Sequence, residues 1–445
     1  MPNAFHLLLD WNLPQRLVRV VAILFTGLCL NDACAQMPVF EGAEGFGAMC
    51  RGGTGGREIR VTSLDDDPND PQPGTLRWAI QQPRPRIVRF GVAGNIRLKA
   101  PLMVTEPFLT LDGKDAPGGG ICICDHSFEC RRTHDIAVRY VRFRHGDVET
   151  LRSVAQAGLE RPKGSGDLDC VSLDDSQEII FDHCSLSWSC DEIFGVVRCK
   201  NVTIQWCLLA EPLANPRIHP YGDRHAYGLN LSANTLSLHH CLLAHYHMRG
   251  PQFEANDVRR NLGYDVQMEA INNVLFDYER SGSRYTTGIE DNPDEAAGTR
   301  FQFQFLNNFY VNRDDSKAEI EAVLKHGVIE PLVVHVSGNV GPHSPIGDVD
   351  PLAGLFTDTK LPIRTAPAEV RCQIAAQRLF TAPTPVTIDA APVAYQRVLA
   401  EAGCSNRRDA VDERILADVR NRRFGIIVKS QDDYGGWPKL DAAAR

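Results

Sequence analysis

The stretch from Gly166 to Trp188, GDLDCVSLDDSQEIIFDHCSLSW, brings two carboxylates close enough that each must answer to the other. It reads as two strands around a turn at Asp174-Asp175-Ser176-Gln177. Alternate residues of a strand point the same way, so Asp167 and Asp169 share one face of the first strand. Like charges at that spacing repel, so either a cation holds them or they stand on a solvated face. Asp174 and Asp175 are turn residues, for which aspartate is well suited. Asp191 follows Cys184 by seven residues, and Arg249, in HYHMRGPQF, follows Cys241 by eight. If the segments containing these cysteines stack, three carboxylates and an arginine share one lateral face, and oxygen ligands of this kind suit calcium better than zinc. The plainer alternatives are that Asp191 caps a loop and Arg249 is a surface arginine.

The elements that must position these groups are short and repeated. IIFDHCSLSW from Ile179, VTIQWCLLAE from Val202 and LSLHHCLLAH from Leu236 are variants of one pattern, with looser copies from Ile136, Glu269, Gln304 and Val334. With Cys184, Cys207, Cys241, Val274 and Phe309 as equivalent anchors, the separations are 23, 34, 33 and 35 residues. A variable period with a minimum near 23 fits the coils of a parallel β-helix, with loops inserted into some turns. Stacked strands lie about 4.8 Å apart, which places Asp191 and Arg249 two coils, or roughly 10 Å, from one another. Cys184, Cys207 and Cys241 then form one ladder, and Asn272-Asn273 aligns with Asn307-Asn308, whose amides can hydrogen-bond along the stack. His183, His239 and His240 fall in the same region as stack or surface residues rather than metal ligands. A β-sandwich would show shorter, more regular spacing and hairpin signals such as Asn-Gly. The fold class expected is all-β.

From about residue 346 the pattern changes. PAEVRCQIAAQRLF, VAYQRVLAEAG and RRDAVDERILADVRNR look helical, with Val411, Ile415 and Val419 on one face and Gly403 as a C-cap. The reading is a β-helix over residues 36–345 and a partly helical extension, 346–445, that packs along it or covers its open end. Cys372 and Cys404 lie in this extension as a candidate pair.

At the other end, Arg16 and Arg19 precede the apolar run VVAILFTGLCL, and Ala33–Ala35 ends in small residues, so residues 1–35 read as an export signal cleaved after Ala35. The apolar run is short for a membrane span. Twelve of the fourteen cysteines follow that point, and export favours disulfides among them. Cys122, Cys124 and Cys130 lack a second pair to complete a zinc set. A net charge of −9 over 445 residues argues against nucleic acid and gives no general attraction for a polyanion, so an acidic partner must be recognised locally. The glycine-rich EGAEGFGAMCRGGTGGR is not followed by Gly-Lys-Ser/Thr and is a set of tight turns, not a phosphate loop.

EGAEGFGA, GTLRWAI, LTLDGKDAPGGGI, DLDCVSLDDSQEIIFDHCSLSWSCDE, NVTIQWCLLAE, LSLHHCLLAHYHMRGPQF and SQDDYGGWPKL occur in an order that resembles the pectate lyase family of polysaccharide lyases. The resemblance implies a right-handed parallel β-helix, a secreted or periplasmic monomer, and cleavage of polygalacturonate or a related uronan by calcium-assisted β-elimination. It implies calcium binding by Asp167, Asp169 and Asp191, and catalysis by Arg249, which opens the family's R-x-P-x-x-R motif. It also implies departures. The second arginine is Glu254, the usual lysine falls near Ala226, with Arg224 or His225 as substitutes for substrate binding, and the last calcium ligand is Gly195. Glu192 is a poor replacement in an extended segment, because neighbouring residues point to opposite faces. The rivals are a β-helical glycoside hydrolase, which would need paired catalytic carboxylates and lacks its Gly-His-Gly signature here, and a non-catalytic uronan-binding protein.

Overall fold

Runs such as Ile179-Ile180-Phe181 and Val202-Thr203-Ile204 are buried on both faces, so they carry few exposed positions. In the computed structural model, Ile179 and Phe181 face the main core, while Ile180 faces outward under Ala43, Ala48 and Cys50 of the N-terminal segment. The next two outward residues, Thr203 and Ser237, accept hydrogen bonds from the amides of Gly47 (2.9 Å) and Phe46 (3.3 Å). The structure describes residues 37–164, 168–254, 265–286, 299–314, 316–323, 332–347, 350–367 and 373–440. The expected export signal, Asp167 and Cys372 lie outside the described residues.

Three faces of parallel strands wrap around one core. The first runs from Arg57–Val61 to Gln373–Ile374, the second from Leu102–Val104 to Leu355–Thr357, and the third is an eight-stranded sheet from Gly94–Arg97 to Phe309–Val311. The strand Phe194–Gln205 turns the corner from the second face to the first, with Arg198 and Asn201 both at φ +53°. This is the expected all-β parallel β-helix. Equivalent residues stack coil on coil: Val138, Phe181, Ile204, Leu238, Ala270, Phe305 and Val336 form one inward row.

The ladder at the corner before the third face differs by one residue from the expected anchors. Val274 pairs with Leu242, and Phe309 with Val274, so the residues in line with Cys184, Cys207 and Cys241 are Asn273 and Asn308. The side-chain oxygens of Asn273 and Asn308 accept from the amides of Cys241 and Asn273, each at 3.0 Å, and Asn339 continues the row at 2.9 Å. A corner that leaves backbone amides unpaired is thus satisfied by an asparagine from the next coil. The cysteines earlier in the ladder remain thiols: Cys184, Cys207 and Cys241 form no disulfide, and neither does Cys404. No disulfide occurs among the described residues, and Cys372 of the expected Cys372–Cys404 pair lies outside them.

Two of the three expected helices are present, Ala391–Glu401 and Ala410–Arg420. Gly403 follows the first at φ +78°, and its position leaves no room for a side chain, since a Cβ would lie 2.7 Å from Ser185 Oγ. Val398, Val411, Ile415 and Val419 pack against Leu208, Leu242, Val274 and Phe276 on the outside of the third face. The described part of PAEVRCQIAAQRLF is not helical. Gln373 and Ile374 extend the first face beside Val333 and Val334, and the amides of the following chain donate to outward side chains instead, Leu379 N to Gln304 Oε1 and Asp389 N to Asn272 Oδ1. Pro383 and Pro385, which cannot donate, suit that irregular path.

The fully buried Arg144 anchors the extension through Asp409, the N-cap of the second helix, and through Asp412 at 2.8 Å. Ser185 Oγ donates to the other oxygen of Asp412 at 2.7 Å. Replacing Asp412 with alanine leaves buried guanidinium charge short of a partner, and D412A is expected to lower stability by about 3–5 kcal/mol in urea unfolding. A loss below about 1 kcal/mol would mean that Asp409 alone neutralises Arg144.

Candidate metal and catalytic site

The outward row of the second face runs Glu129, Ser172, Gly195, Asn230, Gln252, Arg284, Glu321, one residue per coil. It is polar throughout except at Gly195, and there a Cβ would sit 2.4 Å from Asp169 Oδ2. Asp169 leans into the space that glycine leaves. It does so from a bend ahead of the strand Val171–Asp174, not from the strand itself, which corrects the expected placement of Asp169 on a strand face. Asp175 turns the chain at φ +50°, as expected of a turn residue.

Asp191 and Glu192 also occupy a bend, just before Phe194–Gln205. The amides of Cys190 and Asp191 both donate to Leu168 O, at 2.8 and 3.0 Å, and Glu192 N donates to Asp169 Oδ1 at 3.1 Å. With the backbone turned in this way, neighbours need not face apart. Carboxylate oxygens of Asp169, Asp191 and Glu192 all lie within 4.8 Å of one another. The expectation that Glu192 points away fails because the segment is bent rather than extended. The position of the absent ligand at residue 195 is taken up by crowding from Asp169, and Glu192 supplies the third carboxylate.

The electrostatics match the crowding. Burial, and then the charge of Asp191, push the Asp169 carboxyl well above the usual carboxylate range. Burial and Asp191 do the same to Glu192, against the pull of Arg249. Asp191 goes the other way: burial would raise it, but His219 and His225 hold it well below its usual range. Among these, Arg249 bonds Glu192 Oε1 directly and lies over the Tyr227 ring at 4.5 Å, with its side chain 21% exposed. Three hard-oxygen donors that repel until a positive charge arrives are a set that calcium fits.

Asp169, Asp191 and Arg249 are therefore brought together as expected. His225 joins them, its Nε2 2.6 Å from Asp191 Oδ1. Arg224 does not; it pairs with Glu279 at 2.7 Å. Glu254 accepts from Gln252 at 2.9 Å beside the groove. Sequence reasoning missed Glu192, His219, Tyr227 and Arg284. Arg284 stands one coil beyond Gln252 in the outward row, whereas Glu254, at the position of the family's second arginine, pairs with Thr286. His183 and His240 behave as expected, stacking on Trp206 with interplanar angles of 13° and 22°.

Known proteins bear on this arrangement. The chain is 26% identical over 432 residues to "Probable pectate lyase C" of Aspergillus flavus, covering 95% of this chain and 87% of the relative. It is 31% identical over 250 residues to the protein of that name in Aspergillus terreus, 56% of this chain and 53% of the other. The chain is similar to proteins named as pectate lyases. Among solved structures, the cedar-pollen allergen jun a 1 superposes with a TM-score of 0.54 at 15% identity, over 81% of this chain and 92% of the other. The thermostable pectate lyase PL 47 gives 0.50 at 12% identity, over 83% and 98%. These two likenesses concern the fold. No family model matches the sequence.

The carboxyl shifts predict a pH dependence. Asp169 and Glu192, raised in the folded state, hold protons more tightly there than in the unfolded chain. Their contribution to stability is present at low pH and is lost as pH rises through their folded values. A bound dication removes that loss. The calcium-induced rise in Tm is expected to be larger at about pH 8 than at about pH 5, as read by scanning calorimetry. An equal rise at both would dissociate the acid cluster from calcium binding.

Proposed function

We propose that this protein is a pectate lyase that cleaves polygalacturonate by β-elimination with the help of calcium. The observation that carries the reading is the placement of the Arg249 guanidinium on Glu192, at the edge of the Asp169–Asp191–Glu192 cluster and above a polar row one coil per residue long. Calcium held by these carboxylates would supply charge withdrawal from a uronate carboxylate, which makes the neighbouring C5 proton easier to remove.

The chain's own groups divide the remaining work. In the elimination the C5–H bond breaks, a C4–C5 double bond forms, and the C4–O bond to the leaving sugar breaks. Arg249 is the group placed to take the C5 proton. A guanidinium stays charged at ordinary pH, and that of Arg249 rests on Glu192. Glu192 thus has two claims on it, Arg249 and the metal position, and base chemistry at Arg249 needs Glu192 turned toward the latter. Tyr227 holds the guanidinium plane from the other side. Arg284 is the cation available to uronate carboxylates in place of the missing second arginine.

Incubation with polygalacturonate, with and without a calcium chelator, is expected to give the ultraviolet absorbance of an unsaturated product only when calcium is present. R249K keeps the charge but not the planar fork and is expected to lower turnover by about 10²–10⁴-fold. Near-normal turnover in that variant would remove Arg249 from proton transfer. Glu254, an acid at the position of the second arginine of the R-x-P-x-x-R motif, favours one second reading, a uronan-binding protein without turnover. Binding of oligogalacturonate with no absorbance change would select it.

The N-terminal pattern supports export, and the protein is proposed to act outside the cytoplasm as a monomer. Among the described residues, no helix is long and apolar enough to cross a membrane. Intact-mass measurement is expected to place the mature N-terminus near Gln36; a retained Met1 in exported material would overturn the cleavage reading.

A further inference from the structure

His219 and His225 come from the loop between the strands Leu208–Ala210 and Leu229–Ala233, and they stack face to face with ring centroids 3.7 Å apart and planes at 20°. Both residues are more than nine-tenths buried, at 1% and 7% exposed. Their Nε2 atoms converge on one oxygen, Asp191 Oδ1, at 3.5 and 2.6 Å. On the opposite side, their Nδ1 atoms converge on Asp223 Oδ1, at 3.3 and 3.4 Å. None of the four ring nitrogens makes an aligned hydrogen bond.

Buried imidazoles without aligned partners are costly, and the cost is relieved if the donors aim at a shared point rather than at each other. The three ligand atoms lie within 4.8 Å of one another. Around a tetrahedral dication with bonds near 2 Å, ligand atoms stand about 3.3 Å apart; His219 Nε2 is already near that spacing from Asp191 Oδ1, at 3.5 Å, and His225 Nε2, in direct contact at 2.6 Å, moves outward to take its place. Asp223 supplies the outer half of the arrangement: a carboxylate facing Nδ1 fixes the tautomer that leaves Nε2 free to coordinate. Its side chain is 48% exposed, so it can take that role without being buried itself.

We propose a nitrogen-rich metal site at His219, His225 and Asp191, suited to a first-row transition dication such as zinc or cobalt, adjoining the oxygen-donor site through Asp191. Two imidazoles and one carboxylate are the ligand types such ions prefer, whereas calcium prefers oxygen alone. Three protein ligands leave a coordination position open. That opening lies near the groove, since His225 stacks against Tyr227 (3.6 Å between centroids), which in turn carries Arg249. The inference concerns metal binding and does not rest on the lyase reading.

The test is titration of tag-free, metal-stripped full-length protein with Co²⁺ in excess Ca²⁺, read by visible ligand-field absorption and by equilibrium dialysis. The expected result is one Co²⁺ per chain, displaced by Zn²⁺ and retained in D169N. H225Q is expected to abolish the absorption band. D223N, at an exposed position that cannot upset the core, is expected to weaken Co²⁺ affinity by about 10–100-fold. Thermal unfolding of each variant checks the fold, and if H225Q is unfolded, D223N decides. Failure to take up a stoichiometric Co²⁺, its displacement by Ca²⁺, or affinity unchanged in D223N would overturn the proposal.

Discussion

Three carboxylates share a space in which they cannot all be comfortable. The mutual repulsion of Asp169, Asp191 and Glu192 is the constraint around which the groove is arranged. One guanidinium and two imidazoles lean on it from three sides: Arg249 on Glu192, His219 and His225 on Asp191. Each relieves part of the charge, and Asp169 is left to burial and its hydrogen bond from Glu192 N. The site is polarised before any ligand arrives, with one acid kept ionised and two kept reluctant. Such divergence among neighbouring acids is where function is to be sought.

A coiled stack is what makes the crowding possible. The acids come from two successive coils, and the arginine from two coils later, yet the stacking distance keeps them within reach. The local backbone does the rest. Bends, not strands, carry Asp169, Asp191 and Glu192, and Gly195 stands where any side chain would displace Asp169. An aspartate at residue 195 would collide with the group it was meant to assist. The absent ligand and the present glycine are two descriptions of the same packing choice.

The coils were legible in the sequence because stacking demands the same residue types at the same phase; Cys184, Cys207 and Cys241 mark it directly. The register slipped by one at Val274 because the ladder changes chemistry, from thiol to amide, and Asn273 does the same job without looking alike. The helix expected across PAEVRCQIAAQRLF failed because its described residues find better partners: an open strand edge and the outward amides of Asn272 and Gln304. At the site, Asp169, Asp191 and Arg249 could be named from spacing, and His225 from the family resemblance. Glu192 was discarded on an assumption of extended backbone, and a bend cannot be read from alternation. His219 lies in a loop without period, so only the fold shows that it meets His225 face to face.

The clasp between Arg144 and the second C-terminal helix joins residues 265 and 268 positions apart. Coils add by contact with the coil before, so the stack can grow from one end as chain becomes available. Arg142 and Arg144 are laid down early in that growth, and their acids arrive only with the last fifth of the chain. Until then two cations sit on a surface that is later sealed. Assembly is therefore sequential along the coil but closes in a single late event, and a chain interrupted before Asp409 would hold a nearly complete stack with its latch missing.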